Sequence, residues 1–216
     1  MFLAGQKPFF ISGPTGQLES TAMLPSKMEA VAIICHPHPL YDGSMNNKVT
    51  YAIARSLRDL GAASLRFNFR GVGLSEGQYD NGEGETEDLL AVIRYVKKRA
   101  PNMPIWLAGF SFGAYISLKA ASAVDCDRLL VVAPPVNFFN FSGISLPDCP
   151  STVIQGNDDE VVPAEKVYQW VSDLEPSPEV IQLDGVGHFF NRRLNDLRRV
   201  IEDSFVEDMQ YRMAVG

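Results

Sequence analysis

A chain of 216 residues with 26 acidic and 19 basic side chains, a formal net charge of -7, lacks the basic face that phosphate neutralisation requires, so nucleic acid is not an expected partner. Apolar residues make up 46% and charged residues 21%, which excludes a disordered or fibrous chain and suits one compact domain over residues 1–216. Cys35, Cys126 and Cys149 are too widely spaced for a disulfide framework or a zinc site, and no apolar run has the length of a signal peptide or a membrane span, so a cytoplasmic protein is expected.

In chain order, residues 7–12 and 17–24 read as two strands of a hairpin, joined by the turn Gly13-Pro14-Thr15-Gly16. Residues 30–35 form a short continuous apolar run, the pattern of a strand buried on both faces. From there helices and strands alternate. Residues 47–60 read as a helix closed by Gly61, 63–67 as a strand, 85–99 as a helix closed by Pro101, and 105–108 as a strand. Then come a helix at 112–122, strands at 128–133 and 152–155, a helix at 164–174, a strand at 180–183 and a last helix from 191 to about 213. Arg192, Arg193, Arg198 and Arg199 lie on that helix beside Asp196, Glu202 and Asp203, the pattern of a solvated surface with i,i+4 pairs. An antiparallel start followed by such alternation implies a mostly parallel sheet with helices on both faces. Ligand sites in such sheets sit at the carboxyl ends of the strands.

Reactive residues fall at those ends. Gly109-Phe110-Ser111-Phe112-Gly113 has the G-x-S-x-G pattern between a strand and a helix, where the serine occupies a strained turn and the glycines keep side chains away from it. A serine so placed needs a base and a carboxylate that orients the base, following it in the order acid, then histidine. Of His36, His38 and His188 only His188 lies after Ser111, in a loop marked by Gly185 and Gly187. For the acid, Asp158, Asp159 and Glu160 are adjacent candidates that the residues alone do not separate. A tetrahedral intermediate also needs two backbone donors: one is expected from the N–H of Phe112, the other from His38 or Leu40, since Pro37 and Pro39 have none. His36 and His38 alternate along an extended segment without a third ligand, so no metal is expected and the imidazoles are read as holding the loop. Gly82-Glu-Gly-Glu85 lacks the Lys-Ser/Thr ending of a phosphate loop and carries the wrong charge. No cofactor is called for.

With its elbow, acid loop and histidine loop, and with the stretches 36–48 (HPHPLYDGSMNNK) and 65–77 (LRFNFRGVGLSEG), the chain resembles the α/β-hydrolase superfamily from about Ala30 onward, in particular its small bacterial serine hydrolases with little or no lid. The resemblance implies an α/β-hydrolase fold: a mostly parallel sheet of about eight strands, an antiparallel N-terminal hairpin, helices on both faces and no cap domain. It places the acid at Asp159, counting the G-x-x-D-x-x-V-P stretch from Gly156, and leaves Asp158 to hold the turn. Arg70 and Ser75 are expected to stabilise a loop. Two departures stand out: His36-Pro37 replaces the usual histidine-glycine pair, and Asp42-Gly43 stands where a glycine pair is common. Larger members insert a cap where this chain has only residues 134–151, so an open site is expected, with Phe138, Phe139 and Phe141 either lining it or packing under a loop. The implied function is a carboxylesterase for small or short-acyl esters, working through an acyl-enzyme on Ser111, Asp159 and His188. Thioesterase, lactonase, amidase or peptidase chemistry on the same three residues is an alternative, as is a non-catalytic binding protein that keeps the fold. The expected partner is a small-molecule ester rather than nucleic acid or a membrane; oligomeric state is left open.

Overall fold

The computed structural model describes residues 8–215, with side chains described through Val206, so the first residue of the predicted hairpin, Lys7, lies outside the described residues. A hairpin of β1 (Phe9–Gly13) and β2 (Gly16–Met23) opens the chain, followed by β3 (Ala30–Cys35), α1 (Lys48–Asp59), β4 (Ala62–Phe67), α2 (Glu83–Arg99) and β5 (Ile105–Phe110). Next are α3 (Phe112–Ala121), β6 (Arg128–Val132), β7 (Ser151–Gly156), α4 (Ala164–Ser172), β8 (Glu179–Leu183) and α5 (Leu194–Val215). The eight strands form one sheet in the order β1-β2-β4-β3-β5-β6-β7-β8; β1 pairs antiparallel with β2 and β2 with β4, and every later pairing is parallel.

Two-sided burial explains the apolar runs. All six residues of β3 are buried, and they alternate: Val31, Ile33 and Cys35 join the core under α2, α3 and α4, while Ala30, Ala32 and Ile34 join the core under α1 and α5. Helix α1 starts where the Asn47 side chain accepts the N–H groups of Val49 and Thr50, a side-chain cap. The start of α2 is held by Glu85, whose carboxylate accepts the Asp80 and Gly82 N–H groups at 2.9 and 2.7 Å. The glycine-rich segment before Glu85 is thus a helix start.

Arg70 and Ser75 do fasten the loop after β4. The guanidinium of Arg70 is bidentate on buried Asp88 of α2 (Nε to Oδ2 3.0 Å, Nη2 to Oδ1 2.8 Å) and closes on Gly84, where a Cβ would stand 2.0 Å from Nη1. The Ser75 hydroxyl donates to the Asn68 carbonyl at 2.7 Å and accepts the Glu19 N–H at 2.9 Å, tying the loop to β2. Among the described residues no helix is long and apolar enough to cross a membrane. The connection over residues 133–150 between β6 and β7 forms no separate lid.

Candidate active site

Strand β5 ends on Phe110 and α3 begins on Phe112, so Ser111 alone makes the turn, at φ 54 and ψ -120. A residue with a side chain rarely adopts that conformation, and holding it costs of order 1–3 kcal/mol. The flanking glycines permit it. A Cβ on Gly109 would lie 2.1 Å from the Gly113 carbonyl oxygen, and one on Gly113 would lie 2.3 Å from that of Cys35, so the turn, α3 and β3 approach backbone to backbone. The Ser111 hydroxyl makes no cap hydrogen bond to α3. It stands 3.0 Å from Nε2 of His188 instead.

His188 follows β8 and Asp159 follows β7, on adjacent parallel strands, which is why their loops meet. The Nδ1 of His188 lies 2.8 Å from Oδ2 of Asp159, and both side chains are buried. A carboxylate accepts only, so Nδ1 carries the proton and Nε2 is left to accept from Ser111. Asp159 is held in turn: Oδ1 accepts the N–H groups of Val161 and Val162 at 2.9 and 2.7 Å, and Oδ2 accepts from Gln155 Nε2 at 3.0 Å. Burial alone would raise the Asp159 pKa, but the hydrogen bond and charge of His188 together with the two amide donors outweigh it and hold the carboxyl below its usual range. The neighbours are arranged otherwise. Asp158 is exposed and its N–H donates to the Val186 carbonyl at 3.1 Å, while Glu160 accepts the His188 main-chain N–H at 3.0 Å.

The loop after β3 forms the opposite wall. His36 is buried, with Nδ1–H donating to the Pro37 carbonyl at 2.6 Å and Nε2 accepting the Phe69 N–H at 3.1 Å. Burial pushes its pKa down to about 4, so the ring is neutral at ordinary pH. His38 accepts the Leu40 N–H at Nδ1 (3.2 Å) and meets the Tyr79 hydroxyl at Nε2 (3.1 Å). Of the two candidate backbone donors, Leu40 is therefore engaged with a side chain, and the His38 N–H has no acceptor among the described residues. The contacts of both histidines tie the loop after β3 to its surroundings. Among the described residues, no group of three or more His, Cys, Asp or Glu is placed to hold a metal ion.

Aromatic rings surround the turn. Phe112 packs against His38, Phe139, Phe69 and Tyr79 with centroids 5.0, 5.4, 5.8 and 6.0 Å away. The three candidate lining phenylalanines divide: Phe138 is exposed, Phe139 stacks on Tyr115 and faces His38 and Phe112, and Phe141 is buried against Trp170. Tyr41 and Phe189 project into solvent from the rings of His38 and His188. No signal in the sequence singled out Glu160 as a hydrogen-bond partner of His188, or Tyr79 as a partner of His38; both contacts bridge segments far apart in the chain.

The sheet order and the strand-turn-helix at Ser111 define an α/β hydrolase. A serine hydrolase homologue from Coxiella burnetii is 45% identical and superimposes with a TM-score of 0.91, covering 94% of this chain and 99% of its own. An α/β serine hydrolase without lid from Xanthomonas campestris is 41% identical, also at 0.91, covering 94% and 95%. An uncharacterised protein from Rickettsia prowazekii is 36% identical over 208 residues, 91% of this chain and 87% of that one. Residues 44–145 match a family model described as serine aminopeptidase S33; the match includes Ser111 and stops before the loops of Asp159 and His188. The chain belongs to the lidless α/β serine hydrolases.

Proposed function

We propose that the protein is a carboxylesterase for small or short-acyl esters, with Ser111 as nucleophile, His188 as general base and acid, and Asp159 as the group that orients the imidazole. The observation that carries this reading is the unbroken chain of contacts Asp159–His188–Ser111 at 2.8 and 3.0 Å. The Ser111 hydroxyl passes its proton to Nε2 as Oγ adds to the ester carbonyl. The N–H groups of Phe112 and His38 take the oxyanion, collapse expels the alcohol with the proton returned by His188, and water releases the acid by the same steps reversed. The aromatic walls formed by His38, Phe112 and Phe139 suit the uncharged body of an ester. Amide chemistry is the second reading, favoured by the aminopeptidase family model over residues 44–145.

A fluorophosphonate probe tests the reading: it is expected to label the protein once, on Ser111, and Ser111→Ala should abolish labelling. A matched p-nitrophenyl acetate and acetanilide pair should be cleaved with a large preference for the ester. Labelling that survives in the Ala variant moves the nucleophile elsewhere, faster anilide cleavage supports the peptidase reading, and an unreactive native protein leaves a binding role.

A further inference from the structure

The acid loop and the histidine loop are laced together. The Asn157 N–H donates to the Leu183 carbonyl at 2.9 Å, the Asp158 N–H to the Val186 carbonyl at 3.1 Å, and the Asn157 side-chain amide to Asp184. One further link runs from a side chain to the main chain at the site itself: Oε2 of Glu160 takes the main-chain N–H of His188 at 3.0 Å. His188 lies between two residues of positive φ, Gly185 at 68 and Phe190 at 51, so its main chain belongs to an irregular turn that no helix or strand ladder holds. Gly187 leaves room for the carboxylate, since a Cβ there would stand 2.6 Å from Glu160 Oε2, yet its φ lies outside the left-handed region and needs no glycine.

We propose that Glu160 is a positioning residue for hydrolysis at Ser111: its carboxylate fixes the main chain at His188 and so keeps the imidazole between Asp159 and Ser111. This rests on the serine hydrolase reading above. Both bonds of the ring are directional, and the ring is aimed from a Cα whose amide Glu160 holds. Of three adjacent acids, Asp159 thus fixes the ring and Glu160 its backbone. A Cβ at 187 would crowd only the far end of the Glu160 side chain, so a larger residue there would displace the carboxylate from the His188 N–H and leave the rest of the loop in place.

Glu160→Ala should lower kcat on the order of tenfold with little change in KM, below the hundredfold that misplacement by about an ångström costs. Glu160→Gln, which keeps an acceptor oxygen, should recover most of that loss. Gly187→Ala should reduce kcat in the native background and add nothing in the Glu160→Ala background, the signature of a shared contact. Proton NMR supplies a readout without substrate: the downfield Nδ1–H resonance of His188 should be sharp in the native protein and in Glu160→Gln, and broadened in Glu160→Ala. Native kcat in Glu160→Ala, equal losses in Ala and Gln, or a sharp resonance throughout would each overturn the proposal. Absence of any turnover or labelling in the native protein would count against the hydrolase reading alone, because the resonance still reports whether Glu160 steadies the ring.

Discussion

His36 joins two loops as a neutral ring, and neutrality has a cost in acid. Its pKa falls from 6.5 to about 4 on folding, so between those values the unfolded chain binds a proton that the folded chain refuses. Stability is therefore full above pH 6.5 and declines as pH drops toward 4, by up to about 3 kcal/mol at 1.36 kcal/mol per unit. Half-buried His38 is shifted the same way by burial and adds to the slope. The depressed Asp159 contributes in a lower window, below the ordinary carboxyl value of 3.8, where stability is lost as the acid protonates. Urea unfolding followed from pH 7 to pH 4 should show this decline, and His36→Gln should flatten it; an unchanged slope would locate the proton uptake elsewhere. At this scale the sequence made Ser111 and His188 legible through glycine spacing and chain order. It left Asp158, Asp159 and Glu160 unseparated from the residues alone because the deciding contacts run to a loop about 30 residues away. Which of the His38 and Leu40 N–H groups is already engaged depends on the side-chain geometry of His38, which no spacing encodes.

Elements were legible to within a few residues wherever apolar periodicity governed them, and the discrepancies have local causes. Strand β5 runs on to Phe110, beyond the expected end at residue 108, since Gly109 pairs in register with Cys35 rather than starting the turn. Helix α5 begins at Leu194, not residue 191, because Phe190 and Arg192 take positive φ and break the helical run. Cys126 and Cys149 stand with their Sγ atoms 3.7 Å apart despite their sequence distance, because they precede the adjacent parallel strands β6 and β7. The pair Arg70–Asp88, which binds the loop after β4 to α2, gives the prediction for this scale. Removing Asp88 takes away the bidentate partner of Arg70 and leaves only the exposed Asp80 carboxylate, 3.9 Å from Nη1, so Asp88→Ala should destabilise by about 3 kcal/mol, whereas the apolar double substitution Arg70→Met with Asp88→Leu should lose much less. Comparable losses in the two proteins would reduce Arg70–Asp88 to a packing contact.

At the scale of the whole molecule, the candidate site residues stand on one edge of the sheet, at the carboxyl ends of β3, β5, β7 and β8. Among the described residues no helix or strand roofs that edge, since the connection over residues 133–150 carries neither. Each methylene that enters an enclosed apolar tunnel contributes about 0.8 kcal/mol, but a chain that outgrows an open cleft stays in water and adds nothing. For p-nitrophenyl esters from acetate to palmitate, kcat/KM should therefore peak at about two to four acyl carbons and then level or fall. A maximum at longer chains would mean that the aromatic walls enclose more depth than Phe138 and Phe139 suggest. The Ser111 turn has a further consequence for the molecule as a whole. Its backbone, at φ 54 and ψ -120, is one that glycine would adopt with ease, so a hydroxyl at this turn comes at the expense of thermal margin. Ser111→Gly should therefore relieve backbone strain and leave the fold intact while removing the hydroxyl beside His188, a change that thermal unfolding of the variant would register.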